Sequence, residues 1–165
     1  MFPTFARNYL LKNIFFIFIF LPVIFFSQIP AKVIAIYDGD TITVLLENKT
    51  SKKLRLAEVD CPERGQPFGK NAKQFISDQI FGKQITFVET DIDRYGRSIA
   101  KVYYDNQKYL SSELIKSGLG WWYFYYSKDK SLGKLEEEAR QNKIGLWQDK
   151  NAIAPWEFRK IEREK

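Results

Sequence analysis

A chain of 165 residues with a formal net charge of +6 and no histidine is long enough for one domain with attachments. The missing imidazole excludes histidine general bases, Ser-His-Asp and Cys-His hydrolases, and His-ligated zinc. The single cysteine, Cys61, closes no intrachain disulfide and builds no multi-cysteine metal centre.

Arg7 and Lys12 precede an apolar run over 14–26, interrupted only by Pro22. A short basic region followed by a hydrophobic stretch of this length has the shape of a secretory signal. A membrane-spanning helix needs about 20 apolar residues, so export, to the medium or the periplasm, is the expectation for residues 1–28. A membrane tether through 14–26 is the alternative. Those residues hold two basic and no acidic side chains, which leaves 24 Lys+Arg against 20 Asp+Glu in the remainder. That modest positive balance suits a polyanionic substrate that must be bound and released, and suits an ordinary soluble protein equally.

Beyond the signal, 32–37 (KVIAIY) reads as a strand, Asp38-Gly39 as a tight turn, and 41–46 (TITVLL) as its β-branched partner. A third strand is expected over 53–59, then a loop held open by Pro62, Gly65 and Pro67. Ala72, Phe75, Ile76 and Ile80 share one face of a helix over 69–80. Strands at 84–90 and 98–104 flank a loop over 93–97. Helices follow at 110–116, capped by Gly118, and at 132–142. The tail, 151–165, contains a short docked helix around Trp156. Five strands interrupted by one helix, then further helices, describe an α+β protein: an OB-fold five-stranded β-barrel over 29–150 with about three packed helices.

Three short pieces carry chemistry: DGDT at 38–41, RLAEVDCPE at 55–63 and DRYGR at 93–97. Alone, the first is a hairpin turn and the third a polar loop with a local ion pair. Together they supply the carboxylates of Asp40, Asp60 and Glu63 and the guanidiniums of Arg55 and Arg97. Hard oxygens hold a hard cation, a free carboxylate can orient a water, and arginine forks match the oxygens of a phosphorane-like transition state. Trp121–Tyr126 is an aromatic run in which alternating positions of an extended segment would face the core; the outer half offers bases a stacking surface. Trp147 and Trp156 read as packing anchors, and the basic residues of the tail as a solvated face, with a nucleic-acid role as the lesser option.

At these motifs, and at SGL 117–119, EAR 138–140 and GLW 145–147, the chain strongly resembles the staphylococcal nuclease family, collinearly from about Lys32 to Trp147. The RGQPFG and PWEFRK segments look like those of secreted or anchored bacterial members. The resemblance implies an OB-fold monomer that uses Ca²⁺ to hydrolyse DNA and RNA to 3′-phosphates. It implies that Asp40 and Asp60 are metal carboxylates, that Cys61 contributes its backbone carbonyl, and that Arg55, Glu63 and Arg97 are catalytic. Arg94 and Tyr95 match positions near a terminal phosphate. Tyr126 matches one nucleotide-flanking tyrosine, and Phe124 replaces the other. Glu58 stands where relatives commonly carry glycine or an apolar residue, and has no role assigned from sequence. The rival reading is a non-catalytic OB-fold module that binds nucleic acid or protein.

Overall fold

The computed structural model describes residues 27–165; the signal or anchor expected over 1–28 therefore lies almost wholly outside the described residues. Among the described residues no helix is long and apolar enough to cross a membrane. Strands β1 (Ile29–Ile36), β2 (Thr41–Leu46) and β3 (Ser51–Leu56) form an antiparallel meander. After β4 (Val59–Asp60) and helix α1 (Gly69–Ile80), β5 (Gln84–Ile92) pairs with β1, and β6 (Ser98–Tyr104) pairs with β5. A parallel pairing of β6 with β3, Leu54 opposite Ser98 and Leu56 opposite Ala100, closes the barrel. Strands β1, β2, β3, β5 and β6 thus make the closed five-stranded barrel of an OB-fold, which leaves no open edge between β3 and β6.

Alternation drives this closure. Val33, Ile42, Val44, Leu54, Leu56, Phe87, Ala100 and Val102 are buried on the inner face, and their neighbours along each strand are more exposed. Helix α1 covers one end with Ala72, Ile76 and Ile80. After the short β7 (Lys108–Tyr109), helix α2 (Leu110–Lys116) adds Leu110, Leu114 and Ile115 to the same core. A second, smaller cluster of Trp121, Ala139, Leu146, Trp147 and Ala154 joins β8 (Trp121–Trp122), helix α3 (Lys130–Gln141), a 3₁₀ turn at Gly145–Gln148 and helix α4 (Pro155–Arg163). The expected short tail helix is therefore a fourth helix, running on to Arg163, with Pro155 in its first turn, where no amide donor is needed. Trp147 and Trp156 are packing anchors as expected, both edge-on to Trp121, at 4.4 and 5.7 Å between ring centroids.

Two expectations need correction. The third strand does not run from 53 to 59 but breaks at Ala57-Glu58, where Glu58 has φ +67°. The aromatic run is extended only over Trp121–Trp122, which pair with β4. It then turns, so Phe124, Tyr125 and Tyr126 are all exposed rather than alternating.

Candidate active site

The β1–β2 hairpin turns through residues 37–40, with Asp38 Oδ1 accepting from the Asp40 amide at 3.1 Å. Gly39 is required by space. A Cβ there would lie 2.7 Å from the Cys61 Cβ and 2.8 Å from the Ala72 Cβ, so the turn packs directly on the segment that follows β4. This contact lets Asp40 Oδ2 accept from the Cys61 amide at 2.9 Å, tying two distant motifs together.

The break at Glu58 aims the second carboxylate. Its left-handed backbone is held by a partly buried network. Glu58 Oε2 accepts from the Tyr109 hydroxyl (2.8 Å) and the Lys101 ammonium (2.9 Å), and Oε1 from Ser127 (3.1 Å). A glycine would take this conformation without strain; a glutamate takes it here because three partners fix its side chain. The chain then re-enters a strand at Val59–Asp60 and leaves Asp60 only 1% exposed. Arg55 lies beneath it. Its Nη1 donates to the Leu56 and Val59 carbonyls (2.6 and 2.8 Å), and its Nη2 to Asp60 Oδ1 (2.8 Å), with Asp40 Oδ2 at 3.2 Å. Asp40 and Asp60 therefore converge on one guanidinium. Burial works against the Arg55 charge, but Asp40 and Asp60 outweigh it and raise its pKa.

Glu63 sits in the loop that leads into α1. A Cβ on Gly69 would lie 2.0 Å from the Glu63 carbonyl oxygen, so the start of α1 presses on the Glu63 backbone. The Glu63 amide donates to Gln66 Oε1 at 3.1 Å, and Gln66 Nε2 donates to the Ile153 carbonyl at 2.5 Å. The side chain meets a residue that sequence reasoning missed. Arg159 of α4 donates through Nη1 to Glu63 Oε1 (2.7 Å) and Asp60 Oδ1 (3.3 Å), and through Nη2 to Asp60 Oδ2 (2.8 Å). The tail is thus not simply a solvated basic face. The Trp156–Arg159 spacing, which puts both on one side of a helix, was the available signal.

Arg97 stands across the rim. Asp93 Oδ1 accepts from the Tyr95 and Arg97 amides (2.9 Å each) and its Oδ2 from Arg97 Nε (2.6 Å). Slight burial notwithstanding, these bonds hold the Asp93 carboxyl below its usual range. Arg97 Nη1 approaches Thr41 Oγ1 at 3.4 Å, and that hydroxyl donates to Asp40 Oδ1 at 3.2 Å. Arg94 and Arg97 both lie over the ring of Tyr95, at 4.9 and 5.7 Å, and Tyr95 is 70% exposed. One polar chain therefore runs from Arg97 through Thr41, Asp40, Arg55, Asp60 and Arg159 to Glu63. Tyr126 lies outside it, 74% exposed, its ring 4.8 Å from that of Tyr123. Tyr123 in turn stacks on Trp156 at 5.5 Å and 9°. A depression of about 870 Å³, lined by Lys32, Glu47, Thr86 and Gln107 among others, shares none of these residues.

Among the described residues no three His, Cys, Asp or Glu side chains form a ready-made metal cage. The donor chemistry nevertheless fits a hard cation. Burial raises the Asp60 pKa despite the hydrogen bonds from Arg159 and the charge of Arg55. Asp38 is pushed up to about 6 by burial and by Asp40 beside it. Burial thus disfavours the charged carboxylates at this rim, and a divalent cation would favour them. Two carboxylates leave the remaining ligands to backbone oxygens and water, as calcium tolerates.

Cys61 itself offers no nucleophile. Burial drives its thiol pKa well above the ordinary value, with Asp40 adding to the rise, and a thiol without thiolate character is inert. Cys61→Ser is accordingly expected to keep its turnover while losing about 1–3 kcal/mol of stability, because a hydroxyl enters an apolar site. Turnover and Tm measured side by side check this. A folded but inactive serine variant would show that the sulfur takes part in the reaction.

A closed OB barrel with carboxylates and guanidiniums gathered at one rim has the groups that chemistry on a phosphate ester needs. Residues 53–149 match the family model described as staphylococcal nuclease homologue. An uncharacterised endonuclease of Haemophilus influenzae is 38% identical over 157 residues, covering 95% of this chain and 88% of that protein. A micrococcal nuclease of Shigella flexneri is 37% identical over 142 residues, 80% of this chain and 81% of its own length. A staphylococcal-like nuclease of Arabidopsis thaliana is 39% identical over 111 residues, 67% of this chain and 34% of its own. The chain belongs to the staphylococcal nuclease family. It is a nuclease, an endonuclease-type hydrolase of phosphodiester bonds.

Proposed function

We propose that this chain is an exported, monomeric, calcium-dependent nuclease that cleaves both DNA and RNA and leaves 3′-phosphate ends. The observation that carries this reading is the convergence of Asp40 and Asp60 on Arg55, with Glu63 joined to the same Asp60 through Arg159. Asp40, Asp60 and the Cys61 carbonyl would hold calcium, which when bound supplies a Lewis acid for a phosphate oxygen. Glu63 orients the attacking water and accepts its proton. Arg97 and Arg55 donate to the oxygens on which charge accumulates. Arg94 and Tyr95 face a terminal phosphate, and Tyr126 offers a ring to a base.

A site with two carboxylates binds calcium weakly, on the order of 10⁻⁴ to 10⁻³ M, which suits an extracellular compartment. The decisive assay incubates the protein with single- and double-stranded DNA and RNA, with calcium, with EGTA, and with EGTA plus magnesium. Cleavage is expected with calcium and abolished by EGTA. Magnesium is expected to restore little, because it demands regular octahedral geometry and holds its own water. Full turnover in EGTA with magnesium would overturn the calcium assignment. Sequencing the mature N-terminus tests export with cleavage against a tether through residues 14–26.

A further inference from the structure

We propose that Arg159, on the C-terminal helix, is a positioning residue of the reaction: its guanidinium holds the Glu63 carboxylate against Asp60, so that α4 completes the active centre. The inference rests on the reading of Glu63 as the water-orienting carboxylate.

Among the described residues Arg159 is the only side chain that donates to the Glu63 carboxylate. Glu63 is carried on a loop, its side chain 38% exposed, and a glutamate left free there would sample several rotamers. Arg159 removes that freedom by geometry. A planar fork that already grips both oxygens of the buried Asp60 at 3.3 and 2.8 Å can present its remaining Nη1 hydrogen to Glu63 in one direction only. The backbone of Glu63 is tied to the same tail segment independently, through Gln66 to the Ile153 carbonyl. Residues 153–159 thus hold this glutamate at both ends.

The alternative is that the ion pairs merely pin the tail. The contacts of α4 argue otherwise. Ala154 and Pro155 are buried, and Trp156 stacks on Tyr123 and meets Trp121 edge-on. Burial of this kind docks the helix without help. The pair joins an arginine that is 39% exposed to an Asp60 that is 1% exposed, so its loss costs some stability but leaves this apolar docking in place. One turn beyond Trp156, Arg159 is delivered to the carboxylates by a helix that is already seated.

The test compares the full chain with Arg159→Ala, Arg159→Lys and Lys160→Ala, reading kcat, KM, Tm and calcium binding by calorimetry. Arg159→Ala is expected to lower kcat about 10- to 100-fold, the range for loss of a group that orients a reacting side chain. KM should change by less than about threefold, since substrate contacts are untouched. Tm should fall only modestly, because α4 stays docked through Trp156, and calcium binding should persist, because a positive charge has left the carboxylate pair. Arg159→Lys should recover only part of the loss. Added guanidinium ion, far below denaturing concentration, should restore turnover to Arg159→Ala where ammonium does not, since only the former reproduces the fork. Lys160→Ala removes the same charge from the exposed side of α4 and should leave turnover unchanged. In a Glu63→Gln background the Arg159→Ala change should add nothing further.

Wild-type turnover in Arg159→Ala beside an inactive Glu63→Gln would overturn the inference. So would a joint fall of Tm, calcium binding and turnover that guanidinium does not rescue, which would make Arg159 a structural pin. An active Glu63→Gln would instead overturn the role of Glu63, a failure distinguishable from the other two.

Discussion

Arg97→Lys is expected to lower kcat at least about 100-fold, the loss seen when a single transition-state donor is removed, with no more than a small change in Tm. The two effects separate because the loop does not depend on the guanidinium. Asp93 accepts from the Tyr95 and Arg97 amides, and Gly96, at φ +76°, closes the turn by donating its amide to the Asp93 carbonyl at 2.9 Å. These backbone bonds survive any change at the Arg97 side chain. What the side chain adds is direction. Its Nε is held by Asp93 at 2.6 Å, so the outer edge of the guanidinium is aimed before any phosphate arrives, and its 30% exposure leaves donors open to solvent. Lysine offers a single charged head that must choose between Asp93 and substrate. The ion pair is partly exposed and contributes at most about 1 kcal/mol to folding. Turnover on single-stranded DNA and a thermal melt decide the matter; near-wild-type turnover in a folded Arg97→Lys protein would remove Arg97 from the transition state.

The barrel was legible because short runs rich in β-branched and aromatic residues, such as 41–46 and 98–104, stand between turn residues. The carboxylates and arginines were legible because they cluster in three short motifs near strand ends, where a barrel rim gathers them. The break at Glu58 was not, since nothing local distinguishes a glutamate about to take a left-handed backbone. Its reasons are Lys101, Tyr109 and Ser127, all of them distant in sequence. Arg159 was hidden for the same reason, lying 96 residues from Glu63 and 99 from Asp60 along the chain. Its charge matched the bland expectation for a basic tail, and only the docking of Trp156 reveals which way the helix turns. The aromatic run misled because a periodicity argument presumes an extended segment, whereas this one leaves β8 after two residues and turns.

Arg55→Lys should behave differently from Arg97→Lys: it should abolish turnover and also destabilise the fold by about 3–5 kcal/mol, as removal of one partner from a buried ionic cluster does. The side chain of Arg55 is only 12% exposed, and that of Asp60 1%. Both Nη1 hydrogens go to backbone carbonyls of Leu56 and Val59, the two residues that flank the break at Glu58. Lysine cannot reach both carbonyls and both carboxylates, so buried acceptors are left unmet. The β3–β4 turn then loses its inner support, and with it the placement of Asp60. With the turn displaced, Asp60 no longer converges with Asp40, and the pair of carboxylate oxygens that a hard cation needs is lost. Expected readouts are a Tm lowered on the order of 10 °C, calcium binding weakened in calorimetry, and no measurable cleavage. If Arg55→Lys melts with the parent protein and binds calcium as before, then Arg55 is not the centre on which the carboxylates are assembled, and its contribution lies at the phosphate alone.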